Sequence, residues 1–149
     1  MFKIRRILCP IDLSETSKPA FEYAVALAAQ LGAELELLHV YQLPAYALPE
    51  GGLEILAGLE MELENRLQQQ LDEFVKHSTE PSVKITTVLG TGVPYVEIIR
   101  AAKQRKADLI VIGTHGRTGL AHLLIGSVAE RVIRTSEVPV LSIRTRQQA

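Results

Sequence analysis

The sequence predicts an α/β fold, in which a doubly wound parallel sheet carries helices on both faces. Short apolar runs alternate along the chain with longer segments whose apolar residues recur at helical spacing. This alternation gives five strands and four helices in the order β-α-β-α-β-α-β-α-β, which is typical of parallel strands joined by right-handed crossovers. The run at residues 108–112 is almost continuously apolar, as expected for a strand that is buried on both faces.

The first two strands flank a helix. Residues 4–9 predict a buried strand that ends at Pro10, and residues 34–41, which alternate at first and are then apolar, predict a second strand. Between them, the capping residues of segment 14–19 predict a helix start, and Gly32 predicts its end. The residues expected on the inner face of this helix recur every three or four positions: Ala20, Tyr23, Ala24, Leu27, Ala28 and Leu31.

A long loop and a long helix come next. Residues 42–52 contain two prolines and two glycines, and this loop is long for a connection of its kind. A coiled coil is one interpretation of the helix that follows, but its apolar stripe covers fewer than three heptads and lies between strands, so a helix that covers the sheet is favoured. The stripe consists of Leu56, Leu59, Leu63, Leu67, Leu71, Phe74 and Val75.

The second half of the chain repeats the pattern. Residues 82–89 predict the third strand, Gly90-Thr91-Gly92 a turn, and Pro94 the start of a helix. Residues 108–112 and 138–143 predict the fourth and fifth strands, on either side of the last helix. The inner faces are expected to carry Val96, Ile99, Ala102 and Ala107 in the third helix, and Val128, Val132 and Ile133 in the fourth.

Length and composition narrow the classes of protein. At 149 residues, the chain is expected to form a single domain over residues 1–149, burying about 70% of its unfolded surface. A net charge of −1 gives no field that attracts nucleic acid or an anionic membrane. One cysteine excludes an internal disulfide framework and is too few for a zinc site. The apolar runs are too short for a signal peptide or a membrane span, so we expect a cytoplasmic protein.

Two segments are placed to form a binding site, because open parallel sheets bind ligands at the carboxyl ends of their strands. Cys9-Pro10-Ile11-Asp12 follows the first strand, and the glycine-rich segment 113–119 follows the fourth. A carboxylate at one strand end and a glycine-rich turn at another are typical of a nucleotide crevice. This interpretation requires that the first and fourth strands be neighbours, which the order of elements alone does not establish.

The glycines have a physical role in such a site. Glycine lets backbone N–H groups approach an anion closely, and Gly126-Ser127 opens a helix whose N-terminal dipole suits a phosphate. Ser127 is able either to cap that helix or to donate its hydroxyl to a phosphate oxygen. The alternative is that these glycines only form turns, but their number and their place after a buried strand favour phosphate binding.

Other phosphate-binding motifs do not match. Walker A needs a Lys-Ser or Lys-Thr pair after its final glycine, whereas Leu120 and Ser127 follow Gly119 and Gly126. The dinucleotide fingerprint requires a glycine-rich turn after the first strand, where Pro10-Ile11-Asp12 stands. A receiver domain would have an acceptor aspartate at the end of its third strand, and Val88-Leu89-Gly90 provides none.

With these residues in view, the sequence resembles the universal stress protein family. Gly113-Thr114-His115-Gly116, nine further residues and then Gly126-Ser127 match the G-x2-G-x9-G-(S/T) signature of its ATP-binding members. Pro10-Ile11-Asp12 and Val138-Pro139-Val140-Leu141 are similar to the first loop and last strand of the family. The resemblance extends from about Ile4 to Arg144 and implies a fold like that of the adenine-nucleotide alpha hydrolases, with strand order 3-2-1-4-5.

The resemblance also implies a ligand, ATP, and a role for each residue that matches the motif. Asp12 is expected at the ribose or at a metal near the phosphates, with Mg²⁺ or Mn²⁺ as candidate ions, and Pro10 and Val40 at the adenine. The residues expected to wrap the ribose and phosphates are Ile112, Gly113, His115 and Gly116. Those expected to bind the phosphates at the start of the last helix are Gly126, Ser127 and Val128. The complete expected set is Pro10, Ile11, Asp12, Val40, Ile112, Gly113, His115, Gly116, Arg117, Gly119, Gly126, Ser127 and Val128.

Two classes of function remain open, a nucleotide-dependent regulatory module and a slow ATP hydrolase or phosphotransferase. Hydrolysis requires a positioned water, a metal and a cation, for which Asp12 and either Arg117 or Arg131 are candidates, but no water-activating base is evident. A packing or chaperone-like role without a ligand remains if ATP does not bind. The regulated partner is not indicated by the sequence.

The resemblance further implies a homodimer, paired through the last strand. The apolar residues expected at that interface are Val138, Val140, Leu141 and Ile143. Among other candidate groups, His115 is expected to act through its backbone, His39 to be a core or interface residue, and Cys9 to pack as a small apolar side chain beside the site.

Overall fold

The fold is described from a computed structural model. It describes residues 1–43, 49–78, 80–114 and 125–144. His115, Gly116, Arg117 and Gly119 therefore lie outside the described residues, as do residues 44–48 of the predicted loop at 42–52.

Five parallel strands form one sheet in the order β3-β2-β1-β4-β5. They are β1 (Arg6–Pro10), β2 (Glu34–Tyr41), β3 (Ile85–Thr91), β4 (Leu109–Gly113) and β5 (Val140–Ile143). The sheet confirms the predicted fold class and strand order. Since β1 lies between β2 and β4, the carboxyl ends of the first and fourth strands are adjacent, as the predicted crevice requires.

The pairing of β1 with β4 is fixed at the amino ends of the two strands. Asp108 accepts hydrogen bonds at Oδ2 from the backbone N–H groups of Arg5 (2.8 Å) and Arg6 (3.0 Å). Its own N–H donates to the carbonyl oxygen of Arg6 at 2.9 Å. One carboxylate thus sets the register in which Leu8 lies beside Ile110.

In the part of the chain that the structure describes, four helices cover the sheet, two on each face. They are α1 (Lys18–Leu31), α2 (Gly52–Lys76), α3 (Pro94–Gln104) and α4 (Ser127–Thr135), with a short 3-10 turn (Glu15–Ser17) before α1. One core cluster joins α1 and α2 to the sheet through residues such as Phe21 and Leu71, and the other joins α3 and α4 through Ile98 and Val132. The doubly wound arrangement follows, because the chain crosses one face on the way to β3 and the other face afterwards.

Local sequence explains where α1 ends. Gly32 adopts a left-handed conformation with φ of +63° directly after the last helical residue. The N–H of Ala33 then donates to the carbonyl oxygen of Ala28 at 2.9 Å, which satisfies one of the helix's terminal carbonyls. The chain can therefore turn at once into β2.

Several predicted inner faces are wrong in detail. In α1, Tyr23 and Leu31 are 50% and 40% exposed, while Phe21 and Val25 are buried in their place. The predicted burial of Ala102 in α3 and Val132 in α4 is confirmed, but Ile98 is buried rather than Val96 or Ile99, and Ala129 is buried while Ile133 is exposed. A helix repeats every 3.6 residues, so a stripe drawn by eye is easily displaced by one position.

Element boundaries also differ from the predictions. Gly90 and Thr91 belong to β3, where they pair with Val40 and Tyr41, so the turn begins only at Gly92. Helix α2 starts at Gly52, inside the predicted loop, and Leu59 in its stripe is 57% exposed.

Within the described ranges, no helix combines the length and the apolar composition that a membrane span needs.

Candidate functional site

A crevice of about 300 Å³ opens at the carboxyl end of the sheet, between β1 and β4. Strands β1, β2 and β4 supply its floor, and the amino-terminal turns of α3 and α4 supply one wall. Its size lies at the lower end of the range for small-molecule sites. The residues that line it are Pro10, Ile11, Asp12, Ser17, Leu38, Val40, Pro94, Ile98, Ile112, Gly113, Thr114, Gly126, Ser127, Val128 and Ala129.

The loop after β1 is held to β2 by hydrogen bonds. The N–H of Ile11 donates to the carbonyl oxygen of Leu38 at 2.8 Å. His39, which is buried, approaches the carbonyl oxygen of Ile11 with Nδ1 at 2.9 Å, so this nitrogen is the donor. The predicted core position of His39 is correct, and its imidazole holds the loop that carries Asp12.

Asp12 is oriented within a network of short side chains. Its Oδ1 accepts a hydrogen bond from the N–H of Ser14 at 3.0 Å and another from the Ser14 hydroxyl. The Ser14 hydroxyl in turn lies 2.8 Å from that of Thr16. Between Asp12 and Ser14, Leu13 has a φ of +63°, which is an uncommon and strained conformation for leucine. The backbone therefore turns sharply after Asp12 while the carboxylate remains on the crevice.

The second half of the site is held together by two backbone hydrogen bonds of Thr114. The N–H of Gly126 donates to the carbonyl oxygen of Thr114 at 2.6 Å, and the N–H of Thr114 donates to the carbonyl oxygen of Ile143 at 3.0 Å. The first bond holds the end of β4 against the start of α4, and the second holds it against the end of β5. The two glycines of the predicted signature that the structure describes, Gly113 and Gly126, consequently line the same crevice.

The start of α4 directs backbone donors toward this crevice. Gly126 is the N-cap and no side chain caps the helix, so the predicted capping role of Ser127 is wrong and its hydroxyl is not used as a cap. The N–H groups of Ser127, Val128 and Ala129 have no carbonyl within the helix to bond, and the helix dipole gives this end a partial positive charge. These residues are suited to hold an anion.

The opposite side of the crevice is apolar. Leu38, Ile98 and Ile112 belong to the core cluster between the sheet and the α3–α4 layer, and Val40 packs against it. Aliphatic side chains at this depth suit a flat, weakly polar group such as a nucleobase. The crevice thus combines aliphatic side chains with the backbone N–H groups at the start of α4, and Asp12 is the one charged lining residue among those described.

Cys9 precedes this loop but is not available for chemistry. Its side chain is fully buried in the core cluster on the α1–α2 face. Burial raises the pKa of the Cys9 thiol to about 12 by disfavouring the thiolate. The predicted packing role agrees with this environment.

The donor set determines which kind of metal the site suits. Within the described ranges, no group of three or more His, Cys, Asp or Glu side chains is placed to hold a metal ion. A single carboxylate such as Asp12 suits an ion that takes its other ligands from substrate phosphates and water, as Mg²⁺ commonly does. The residues fit a metal that arrives with a nucleotide and not a metal held by the protein alone.

Nine of the thirteen residues predicted from the sequence line the crevice. They are Pro10, Ile11, Asp12, Val40, Ile112, Gly113, Gly126, Ser127 and Val128. The other four, His115, Gly116, Arg117 and Gly119, lie outside the described residues. Arg131, a candidate cation for hydrolysis, does not line the crevice but lies over the ring of Tyr95, 5.1 Å from its centroid.

Six lining residues were not predicted. Leu38 has a signal in the sequence, because it lies two positions before Val40 and must share its face of the strand. Pro94 and Ile98 reach the site only because α3 packs on β2 and against α4, which depends on tertiary structure. The remaining three are Ser17, Thr114 and Ala129.

Comparison with known proteins identifies the family. The model of the Universal stress protein family matches residues 3–144. The chain belongs to the universal stress protein family. Universal stress protein MJ0531 of Methanocaldococcus jannaschii is 40% identical over 142 residues, which cover 94% of this chain and 82% of that protein.

Solved structures of family members share the fold. The structure of protein MJ0577 has a TM-score of 0.82 and 28% identity, covering 97% of this chain and 99% of the other. A universal stress protein in complex with cAMP has a TM-score of 0.65 and covers 95% of this chain and 98% of its own. At 24% identity, that second likeness concerns the fold alone.

Proposed function

We propose that this universal stress protein binds ATP in the crevice between β1 and β4 and acts as a nucleotide-dependent regulatory module. One observation supports this proposal above all: Asp12, an apolar wall and the start of α4, which no side chain caps, surround a single crevice. An adenine nucleotide has the complementary parts, since it joins an apolar base to a polar ribose and an anionic phosphate chain.

In the proposed complex, the phosphates lie against the first turn of α4. The N–H groups of Ser127 and Val128 donate to phosphate oxygens, and the helix dipole favours the negative charge. The Ser127 hydroxyl is a further donor. Gly126 has no side chain, so an anion can approach the backbone at this point.

The base and ribose occupy the other half of the crevice. Adenine packs between the aliphatic side chains of Val40 and Ile112, and Pro10 covers its edge. Asp12 accepts hydrogen bonds from ribose hydroxyls or contacts a metal carried by the phosphates. His115, Gly116, Arg117 and Gly119 complete the phosphate contacts in this proposal.

We favour binding over catalysis as the biological role. Among the described lining residues, the titratable groups are limited to Asp12, which Ser14 already holds in place by two hydrogen bonds. A hydrolase would additionally position and activate a water. The proposal includes a cytoplasmic location, which the single cysteine favours because small exported domains are often rich in disulfides.

The proposal is tested by asking which nucleotide the purified protein carries and what it does with it. Mass spectrometry of the native protein, followed by calorimetric titration with ATP and ADP, should show one adenine nucleotide per chain. Turnover measured on the same sample should remain well below about 1 s⁻¹, the low end of typical enzyme rates. Faster hydrolysis by pure protein would show that the module is an enzyme, and no binding of either nucleotide would refute the proposal.

A further inference from the structure

Helix α2 is longer than its contacts with the sheet require. It contains 25 residues, about 37 Å of helix at 1.5 Å per residue. Its buried leucines, Leu67 and Leu71, both lie in the C-terminal half. Tyr41, the last residue of β2, donates its hydroxyl to Glu64 at 2.5 Å, and residues 52–63 precede that contact. No large side chain in this first half of α2 is buried.

The first half of α2 exposes apolar side chains of the size usually found in a core. Their exposed fractions are 74% for Leu53, 68% for Ile55, 57% for Leu59 and 66% for Met61. Ile55, Leu59 and Leu63 follow one another at a spacing of four and form a row along the helix. An apolar row of this kind on a helix is normally covered by another element.

The same half of α2 is acidic. Three glutamates, Glu54, Glu60 and Glu62, occur between residues 52 and 63, and the sequence contains no Lys or Arg between Lys18 and Arg66. Arg66 is paired with Glu62 at 3.6 Å, with both side chains exposed. The chain as a whole has a net charge of only −1, so this negative charge is local. We refer to Ile55, Leu59 and Leu63, with Glu60 and Glu62 on either side of this row, as the acidic apolar surface.

We propose that the acidic apolar surface binds a segment of a partner protein that is a cationic amphipathic helix. The apolar row offers a docking edge for the leucine-like side chains of such a helix, and the glutamates on either side attract its lysines and arginines. A second copy of this surface would bring like charges together, and an anionic membrane would be repelled. The apolar row therefore favours an amphipathic helix as the partner, and the glutamates favour one that is positively charged.

A model peptide tests this proposal with the intact protein. The probe is a fluorescently labelled amphipathic peptide of Leu and Lys, roughly five turns long when helical. Fluorescence anisotropy should show binding that weakens as salt rises, because the glutamates and lysines attract each other. A peptide in which Glu replaces every Lys should not bind.

Variants locate the binding surface. Ile55→Gln and Leu59→Gln should each weaken peptide binding about tenfold, since burial of one such side chain is worth about that factor. Both positions are exposed, so the variants should keep the wild-type melting temperature. Glu60→Gln with Glu62→Gln should weaken binding and flatten its salt dependence. Ile133→Gln in α4, 41% exposed, is the matched control and should bind as the wild type does.

Three results would overturn the proposal. They are failure of the wild-type protein to bind the cationic peptide, equal binding of the anionic peptide, and unchanged binding by the Ile55 and Leu59 variants. Sedimentation of the same variants distinguishes a self-association surface, because a loss of dimer mass on Leu59→Gln would assign the surface to a second copy instead.

Discussion

At the scale of single residues, the site depends on side chains that hold others in place. His39 donates to the carbonyl of Ile11 from behind the loop, and Ser14 fixes the carboxylate of Asp12 from the side. Neither supporting role is apparent from the sequence. His39 is 28 positions from Ile11, and the contact of Ser14 with Asp12 depends on how the loop folds. The sequence motif identifies the residues that line the crevice but not the side chains that hold those residues in place.

Asp12→Asn should weaken binding of ATP with Mg²⁺ by roughly tenfold, the effect expected when a charged contact becomes neutral. Asparagine keeps an oxygen that can accept the bond from the Ser14 N–H, so the loop should retain its shape. Calorimetric titration measures the change. Glu15→Gln is the matched control, since Glu15 is exposed and does not line the crevice. Wild-type affinity and metal dependence in Asp12→Asn would remove Asp12 from the site.

The Cys9 thiol should be protected from alkylation in the folded protein at pH 8. Its pKa of about 12 leaves roughly one thiol in 10⁴ ionised at that pH, and the thiolate is the reactive form. In denaturant the pKa returns toward 9.0, so labelling becomes rapid. A Ser82→Cys variant supplies an exposed thiol for comparison. Equal labelling rates for the two thiols in the native protein would contradict the buried position of Cys9.

At the scale of elements, sequence periodicity identified each helix and strand but not which side chains each one buries. Leu59 and Leu71 lie in the same predicted stripe of α2, yet Leu71 is fully buried and Leu59 is 57% exposed. Periodicity describes the face of a helix, while burial also depends on where the neighbouring sheet ends. Gly90 and Thr91 give a similar lesson, because glycine predicted a turn and pairing with β2 kept them in the strand.

This difference predicts unequal effects of the same substitution within α2. Leu71→Ala should lower the free energy of unfolding by about 2–5 kcal/mol, because it leaves a cavity in the core. Leu59→Ala should change that free energy by less than about 0.5 kcal/mol, as is usual at exposed positions. Urea denaturation of both variants measures the two values. Similar losses would mean that the first half of α2 is packed against the body of the protein.

At the scale of the whole molecule, strand order decides which edges are available to a partner. The predicted order 3-2-1-4-5 is confirmed, so β5 lies at an edge, and we propose that two chains pair through it as a homodimer. Pro139 accepts from the N–H of Ile110, and Ile143 accepts from that of Thr114. In a parallel ladder, Leu141 then also faces β4, whereas the backbone groups of Val140 and Ser142 face outward.

Ser142→Pro should therefore reduce dimerisation, because it removes an outward donor and leaves the bonds to β4 in place. Leu141→Pro should instead lower the free energy of unfolding, because it removes a bond within the sheet. Sedimentation at micromolar concentration and thermal melting separate the two effects. A wild-type protein that sediments only as a monomer would refute the dimer.

The fold and most of the described crevice follow from the sequence, while the closure of the crevice does not. Nine predicted residues line it, yet the bond between Gly126 and Thr114 that brings its two glycines together spans eleven intervening residues without a local signal. Pro94 and Ile98 likewise enter the site from α3, whose position depends on packing across the sheet. Such contacts are decided by tertiary structure.

The binding of phosphates at the start of α4 is best tested by titrating ATP into the Gly126→Val variant. Gly126 has φ of −56° and ψ of 148°, which a residue with a side chain can adopt, so the variant should fold. Thr135→Val, at the far end of the same helix, is the control and should bind ATP as the wild type does. We expect the Gly126→Val variant to keep the circular dichroism spectrum of the wild type and to lose measurable ATP binding, because the new side chain blocks the approach of the phosphates. A folded Gly126→Val protein with wild-type affinity for ATP would contradict this expectation.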